Sequence, residues 1–341
     1  MNKKNGREGR FDVFYASVFS LISFILLSPS VHASGDELGV EQCMQEKILK
    51  SDSTETVGDI RLHCQKILTD TRNIHRESNL RRRELSQEVA FDNPFVISVH
   101  KPNYFLPIAK NKETNTAPFI EQYPDEVVEF DDTEIKFQIS VKFPLARNLF
   151  SKDDDFYFAY TNRSFWQMYK TDSAPFRETN HEPELFYAMK TDWEVFGFKN
   201  RKLNLGFVHQ SNGRGGILSR SWNRIYALFV LEKGDWTLGF KPWYRIPEKI
   251  EEDNNPDIKD YMGNFEFTGI YTHAHHTISA MVRNNLDGSD NRGAVQVDWV
   301  FPLAEFFSGY LQYFKGYGES MIDYNYKQES IGIGIALTGW L

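Results

Sequence analysis

From residue 94 onward the chain alternates apolar and polar positions with a period of two. The clearest stretch is Ile135, Phe137, Ile139, Val141 and Phe143, interleaved with Lys136, Gln138, Ser140 and Lys142. Successive side chains of a strand point to opposite faces, so this segment has one apolar face and one polar face. The same pattern predicts strands over 95–106, 156–167, 184–193, 202–211, 221–231 and 236–245. It continues over 262–272, 276–284, 294–301, 306–315 and 330–340, which makes twelve. In the last of these, Ile331, Ile333, Ile335 and Leu337 alternate with Gly332, Gly334 and Ala336.

Connection lengths also alternate. Short links at 232–235, 272–275 and 303–305 separate long ones at 109–133, 246–261 and 285–293. An outer-membrane barrel shows this pattern, with short periplasmic turns, longer external loops, apolar residues toward lipid and polar residues toward the lumen. The expected architecture is all-β: a twelve-stranded antiparallel transmembrane β-barrel of the bacterial outer membrane, over residues 94–341. A soluble β-sandwich buries a similar alternation in a core, but it leaves the loop asymmetry and the N-terminal leader unexplained.

The leader is the segment 1–33. Lys3, Lys4, Arg7 and Arg10 precede the uncharged, largely apolar run Val13–Leu27, and Val31 and Ala33 supply small residues before a cleavage point. This reads as a secretory signal peptide, the run being short for a membrane helix. Residues 34–93 are charged and weakly helical in spacing (Val57, Ile60, Cys64), and they read as a periplasmic extension. The Arg81–Arg83 run is expected on a solvated face. Export makes a disulfide between Cys43 and Cys64 plausible.

Composition fits this picture. Aromatic residues make up 15% of the 341-residue chain, the net charge is −8, and the mean hydropathy is −0.49. Each membrane helix needs about 20 consecutive apolar residues, so a helical bundle is excluded. The acidic balance argues against nucleic acid as a partner, and two cysteines exclude a multi-cysteine metal site.

Candidate chemistry comes from polar residues on the apolar face. In Leu203-Asn-Leu-Gly-Phe-Val-His209-Gln-Ser211, His209 and Ser211 share the face of Leu203, Leu205 and Phe207. In Ser221-Trp-Asn223-Arg-Ile225, Asn223 shares the face of Ile225. Isolated polar groups facing hydrocarbon cost a few kcal/mol each, so these three are expected to bond to one another. Ser211 suits a nucleophile, His209 its general base, and Asn223 the group that holds the imidazole. The alternative is that His209 and Ser211 merely lie in the interfacial belt near a loop.

The stretch from His209 to Arg224, HQSNGRGGILSRSWNR, resembles the active-site signature of the outer membrane phospholipase A family. Further matches are YTNRSFWQ at 160–167, PFRETN at 175–180, KPWY at 241–244, NPDI at 255–258 and GYGESMIDYN at 316–325. The resemblance implies a calcium-dependent homodimeric lipase of the outer membrane that hydrolyses acyl esters of phospholipids and lysophospholipids. Carried over by position, Arg214 (carbonyl), Ser219 and Ser173 of the partner subunit bind Ca2+, and the Gly213 N–H stabilises the oxyanion. Gly216 stands where relatives carry an Asp serving a second calcium position, which argues against that position here. Asn162 stands in place of a dimer-interface glutamine, and Leu341 in place of the usual terminal Phe.

Two rival functions remain at this stage. A non-enzymatic barrel, such as a narrow porin or hydrophobic-compound channel, requires an unobstructed lumen and no dependence on Ser211. A soluble secreted esterase requires no detergent. His273, His275 and His276 are expected in a solvated turn, and the acidic runs 153–155 and 251–253 on solvated faces. Lys136, Gln138, Lys142, Arg224, Gln296 and Asp298 are expected to form a lumen network.

Overall fold

The computed structural model describes residues 97–339 apart from 152, 153, 172, 305 and 306, together with scattered residues between 44 and 83. The expected signal peptide, most of the 34–93 extension, Cys43, Trp340 and Leu341 lie outside the described residues. The chain divides into units of residues 1–76 and 77–341. Described residues of the first unit include the helical positions 57, 58, 60–62 and 64, where Ile60 and Cys64 are buried, Val57 is exposed and Cys64 is disulfide-bonded.

The second unit is a closed antiparallel barrel. Its strands are β1 (Ser98–Val99), β2 (Asn103–Asn111), β3 (Thr133–Arg147), β4 (Asp154–Trp166), β5 (Phe176–Lys190), β6 (Glu194–Val195) and β7 (Phe198–Ser211). They continue with β8 (Ser221–Lys233), β9 (Trp236–Ile246), β10 (Phe265–His273), β11 (His276–Asn284), β12 (Gly293–Ala304), β13 (Phe307–Tyr317) and β14 (Lys327–Thr338). Apart from the two-residue strands β1 and β6, twelve long strands pair in sequence order, and the β14–β2 and β3–β4 pairings complete the ring. A closed ring leaves no backbone edge unpaired in lipid. Two short helices lie in external loops, α1 (Ala117–Gln122) and α2 (Ile258–Met262). Every long connection opens at the same end of the barrel, and the short ones lie at the other end.

The two faces of β3 are as expected: Lys136, Gln138, Ser140 and Lys142 are buried inside, whereas Ile139, Phe143 and Leu145 are exposed outside. Much of the polar interior is hydrogen-bonded. Lys136 Nζ donates to Gln312 at 2.6 Å and Glu319 at 2.7 Å, Gln312 and Gln296 donate to Asp298, and Arg224 donates to Gln210 at 2.9 Å. The Arg224 guanidinium also lies 3.9 Å from the Trp222 ring centroid. Toward the external mouth the 318–326 loop turns inward and buries Met321, Ile322 and Tyr324. Asp323 there meets Arg177 at 2.8 Å, and Arg177 also bonds Glu134 through Nη2 at 2.9 Å. These side chains obstruct the lumen, which an open porin excludes.

Several expected boundaries shift. The first strand, expected over 95–106, is split into β1 and β2. Pro102 lacks an N–H, and His100 and Lys101 on its N-terminal side turn to Glu184 at 3.2 Å and Glu182 at 2.8 Å. The fourth, expected over 184–193, instead runs from Phe176 to Lys190. Its first half escaped the alternation test because both faces are polar: Glu178, Asn180 and Glu182 face inward, and Thr179 and His181 face outward. A register shift opposite Phe165/Trp166 turns Arg177 inward as well. Met262, expected to open a strand, instead ends α2, the chain leaves the helix through Gly263 at φ +68°, and the strand begins at Phe265. The last strand ends at Thr338. Arg83, expected on a solvated face, donates to the carbonyls of Val99 at 3.3 Å and His100 at 3.0 Å.

Candidate active site

Strands β7 and β8 form a hairpin closed by the 212–220 loop at the long-loop end. On β7 the odd positions face outward, with Leu205 and Phe207 exposed, and Asn204 and Val208 are buried inside. On β8 Trp222, Arg224 and Tyr226 are buried, so Asn223 and Ile225 face outward. The register sets His209 opposite Asn223, and Ser211 opposite Ser221. The polar residues singled out by parity therefore stand together on the membrane-facing wall.

His209 Nδ1 and Asn223 Oδ1 are 2.9 Å apart, and Asn223 Nδ2 donates to Glu248 Oε1 at 3.1 Å. A carboxylate only accepts, so Glu248 fixes the amide with its nitrogen outward and its oxygen toward the ring. The imidazole proton then resides on Nδ1, and Nε2 is left as an acceptor. Among the described residues no hydrogen bond joins the Ser211 hydroxyl to His209. Alternate residues of a strand stand about 7 Å apart, and catalytic hydrogen bonds often close only with substrate present.

The loop above Ser211 is organised by Asn212. Its N–H donates to Arg220 O at 3.0 Å, its Oδ1 accepts from the N–H of Arg220 at 3.0 Å and of Arg214 at 3.3 Å, and its Nδ2 donates to Leu218 O at 2.8 Å. Gly213 and Gly216 sit at φ +63° and +61°, where a side chain would be strained. The Gly213 N–H and the Arg214 carbonyl have no hydrogen-bond partner among the described residues. The Arg214 side chain turns away to bond the carbonyls of Phe176 at 3.1 Å and Arg177 at 2.6 Å, anchoring the loop to β5. Ser219 Oγ accepts from Asn254 at 3.2 Å. Ser173 is exposed in the 167–175 loop, with no hydrogen bond to the 212–220 loop among the described residues.

Position 216 has a local explanation. Gln122 of α1 reaches over the loop, its Oε1 accepts from Ile217 N–H at 3.1 Å, and it lies 2.9 Å from where a Cβ on Gly216 would stand. An Asp there would require the end of the Gln122 side chain to shift and a side chain at φ +61°.

Sequence reasoning missed a second imidazole. His181 on β5 is the direct cross-strand neighbour of Ser211, and Asn162 on β4 is the neighbour of His181. His181 Nδ1 lies 2.6 Å from Tyr160 Oη and 3.5 Å from Asn162 Nδ2, and its ring stacks on Tyr160 with centroids 6.2 Å apart. Asn162 Oδ1 accepts from Ser164 Oγ at 3.0 Å. Parity along a correctly placed β5 would have found His181. Glu248 and Gln122 lie on loops and carried no periodic signal. Of the histidines at 273–276, His273 bonds Asp235 at 2.9 Å in the short-turn end, and His276 stacks on Trp299.

Comparison with known proteins identifies the family and the fold. Residues 80–337 match the family model described as phospholipase A1. A Klebsiella pneumoniae phospholipase A1 is 36% identical over 247 residues, covering 72% of this chain and 84% of the relative. The structure of outer membrane phospholipase A from Escherichia coli superposes with a TM-score of 0.67 at 34% identity, covering 73% of this chain and 95% of that one. A Salmonella typhi outer membrane phospholipase, solved as a dimer with bound calcium, has a TM-score of 0.66 at 34% identity, with 73% and 94% covered. With a closed twelve-stranded barrel and a polar cluster on its outer wall, the chain belongs to the phospholipase A1 family of outer-membrane phospholipid ester hydrolases.

Proposed function

We propose that this chain hydrolyses acyl esters of phospholipids and lysophospholipids at either glycerol position, using Ser211, His209 and Asn223, and that it works as a calcium-dependent homodimer. The observation that carries the reading is the Glu248–Asn223–His209 series, which leaves His209 Nε2 as a proton acceptor on the same wall face as Ser211. The long-loop position of the site directs it to the outer leaflet. Residues 1–33 act as the signal peptide, 34–93 as the periplasmic extension and 94–341 as the catalytic barrel.

In the first half-reaction the Ser211 O–H proton passes to His209 Nε2 as Oγ bonds to the acyl carbon. The carbonyl electron pair moves onto oxygen, where the Gly213 N–H donates to it. Collapse breaks the bond to the glycerol oxygen, which takes the proton from His209. Water, deprotonated by the same imidazole, then releases the fatty acid and restores Ser211. Asn223 holds the ring throughout.

The calcium ligands in this reading are the Arg214 carbonyl, Ser219 Oγ and the Ser173 carbonyl from a second copy. They are all oxygen donors, and the Arg214 carbonyl carries no competing hydrogen bond among the described residues, so the set fits a hard cation. Without a carboxylate, binding is expected to be weak. Bound calcium supplies positive charge beside the developing oxyanion. The calcium-bound dimer of the Salmonella typhi relative supports both features. The partly exposed outward side chains of Asn162 and Thr179, costly against hydrocarbon and suited to a second copy, support the dimer.

The test is phospholipid hydrolysis in detergent micelles, with calcium and with chelator, for wild type and Ser211→Ala. Calcium-dependent activity that disappears in the variant is expected. Full activity in the Ala variant, or indifference to chelation, overturns the reading.

A further inference from the structure

We infer that His181 supplies a second hydrogen bond to the oxyanion, beside the Gly213 N–H; the inference rests on Ser211 being the nucleophile. His181 directly faces Ser211 across the β5–β7 ladder, on the same side of the wall, which sets the two Cβ atoms about 5 Å apart. Ser211 therefore has an imidazole on each flank, His209 two residues back along β7 and His181 opposite on β5. The edge of the His181 ring bearing Cδ2 and Nε2 is turned to Gly213. These two atoms lie 3.5 and 3.6 Å from where a Cβ on Gly213 would stand.

The ring is held and its proton assigned. Tyr160 Oη at 2.6 Å and Asn162 Nδ2 at 3.5 Å both approach Nδ1. The Asn162 amide is oriented by Ser164, whose hydroxyl donates to its oxygen at 3.0 Å. With the amide N–H and the Tyr O–H both donating, Nδ1 is the acceptor and the ring proton lies on Nε2, the tautomer on which the inference depends. That N–H has no partner among the described residues, and it faces the membrane, where an unbonded polar group costs a few kcal/mol. The same arrangement, reversed, leaves His209 Nε2 without a proton. The two imidazoles flanking Ser211 thus present opposite ends, one accepting the proton of Ser211 and the other donating to the oxygen that gains charge.

When Ser211 Oγ bonds to the acyl carbon and the carbonyl pair shifts onto oxygen, the His181 Nε2–H and the Gly213 N–H both donate to that oxygen. His181 keeps its proton throughout and undergoes no net change. Hydrogen bonds to a developing anion are stronger than those to the ground-state carbonyl, so the effect falls on kcat more than on KM.

The experiment measures kcat and KM for phospholipid in calcium-containing micelles for wild type, Ser211→Ala, His181→Phe and His181→Gln. Heat-modifiable gel mobility reports folding, and cross-linking reports the dimer fraction. The expected result for His181→Phe is a fall in kcat of about 10- to 100-fold with KM within about threefold, the scale of one lost oxyanion donor. His181→Gln, which keeps an N–H donor, recovers most of the rate. Three outcomes overturn the assignment while Ser211→Ala stays inactive: an unchanged kcat in His181→Phe, a loss confined to KM or to the dimer fraction, or an equal loss in the Gln variant. Activity in Ser211→Ala instead overturns the nucleophile reading on which the assignment rests.

Discussion

Glu248 accepts a hydrogen bond from the Asn223 amide nitrogen at 3.1 Å, and that contact decides which atom Asn223 presents to His209. The carboxylate stands one step behind the amide, on the 247–264 loop. Removing it in Glu248→Ala frees the amide to flip. The expected effect is a fall in kcat of about 3- to 10-fold, with Glu248→Gln recovering activity because its amide oxygen still accepts. Asn223→Ala is expected to cost more, about 100-fold, through misplacement of the imidazole. Equal rates for Glu248→Ala and wild type would remove Glu248 from the account.

Asn212 ties both ends of the 212–220 loop through its side chain. Replacing it with Ala leaves the N–H groups of Arg214 and Arg220 and the Leu218 carbonyl without those bonds. The folded barrel is expected to persist, while the calcium concentration for half-maximal activity rises about tenfold. A calcium titration of hydrolysis checks this, and an unshifted midpoint contradicts it.

Gly216 and Gln122 compete for one space. Gly216→Asp is expected to lower activity several-fold, because the residue sits at φ +61° and its Cβ would stand 2.9 Å from Gln122 Oε1. The double variant Gln122→Ala/Gly216→Asp relieves the steric part and regains some of the loss. Unimpaired activity in the single variant would show that the loop gives way.

Arg177 pairs with Glu134 and Asp323 deep in the external mouth, with side chains no more than 2% exposed. Arg177→Ala leaves two buried carboxylates without their cation, a loss of about 3–5 kcal/mol. It is expected to lower the urea midpoint of the folded barrel in detergent and to loosen the 318–326 loop to protease. A midpoint equal to wild type contradicts this role.

The barrel was legible because membrane strands must alternate, and the alternation of β3, β9, β11 and β14 is nearly complete. His209, Ser211 and Asn223 were legible as exceptions to that rule: once Leu205, Phe207 and Ile225 face lipid, parity places the polar residues beside them. The same rule hid His181, since a half-strand with Glu178, Asn180 and Glu182 inside and Thr179 and His181 outside shows no period to detect. Glu248, Gln122 and Asp323 reach the site or its supports from long loops, whose contacts are set by tertiary closure rather than by local pattern. Pro102 split the first strand by a means visible in sequence, but the inward pull of Glu182 and Glu184 on Lys101 and His100 was not.

Ser211 acts, in the proposed reaction, as a nucleophile activated on the lipid-facing wall. The most direct measurement is covalent capture: the protein is treated in calcium-containing micelles with a long-chain alkylsulfonyl fluoride, and the site of modification is mapped by peptide mass spectrometry. A single adduct on Ser211, loss of hydrolysis in proportion to labelling, and little labelling in His209→Ala are expected. Inactivation with Ser211 unmodified, or labelling that is indifferent to His209, would contradict that role.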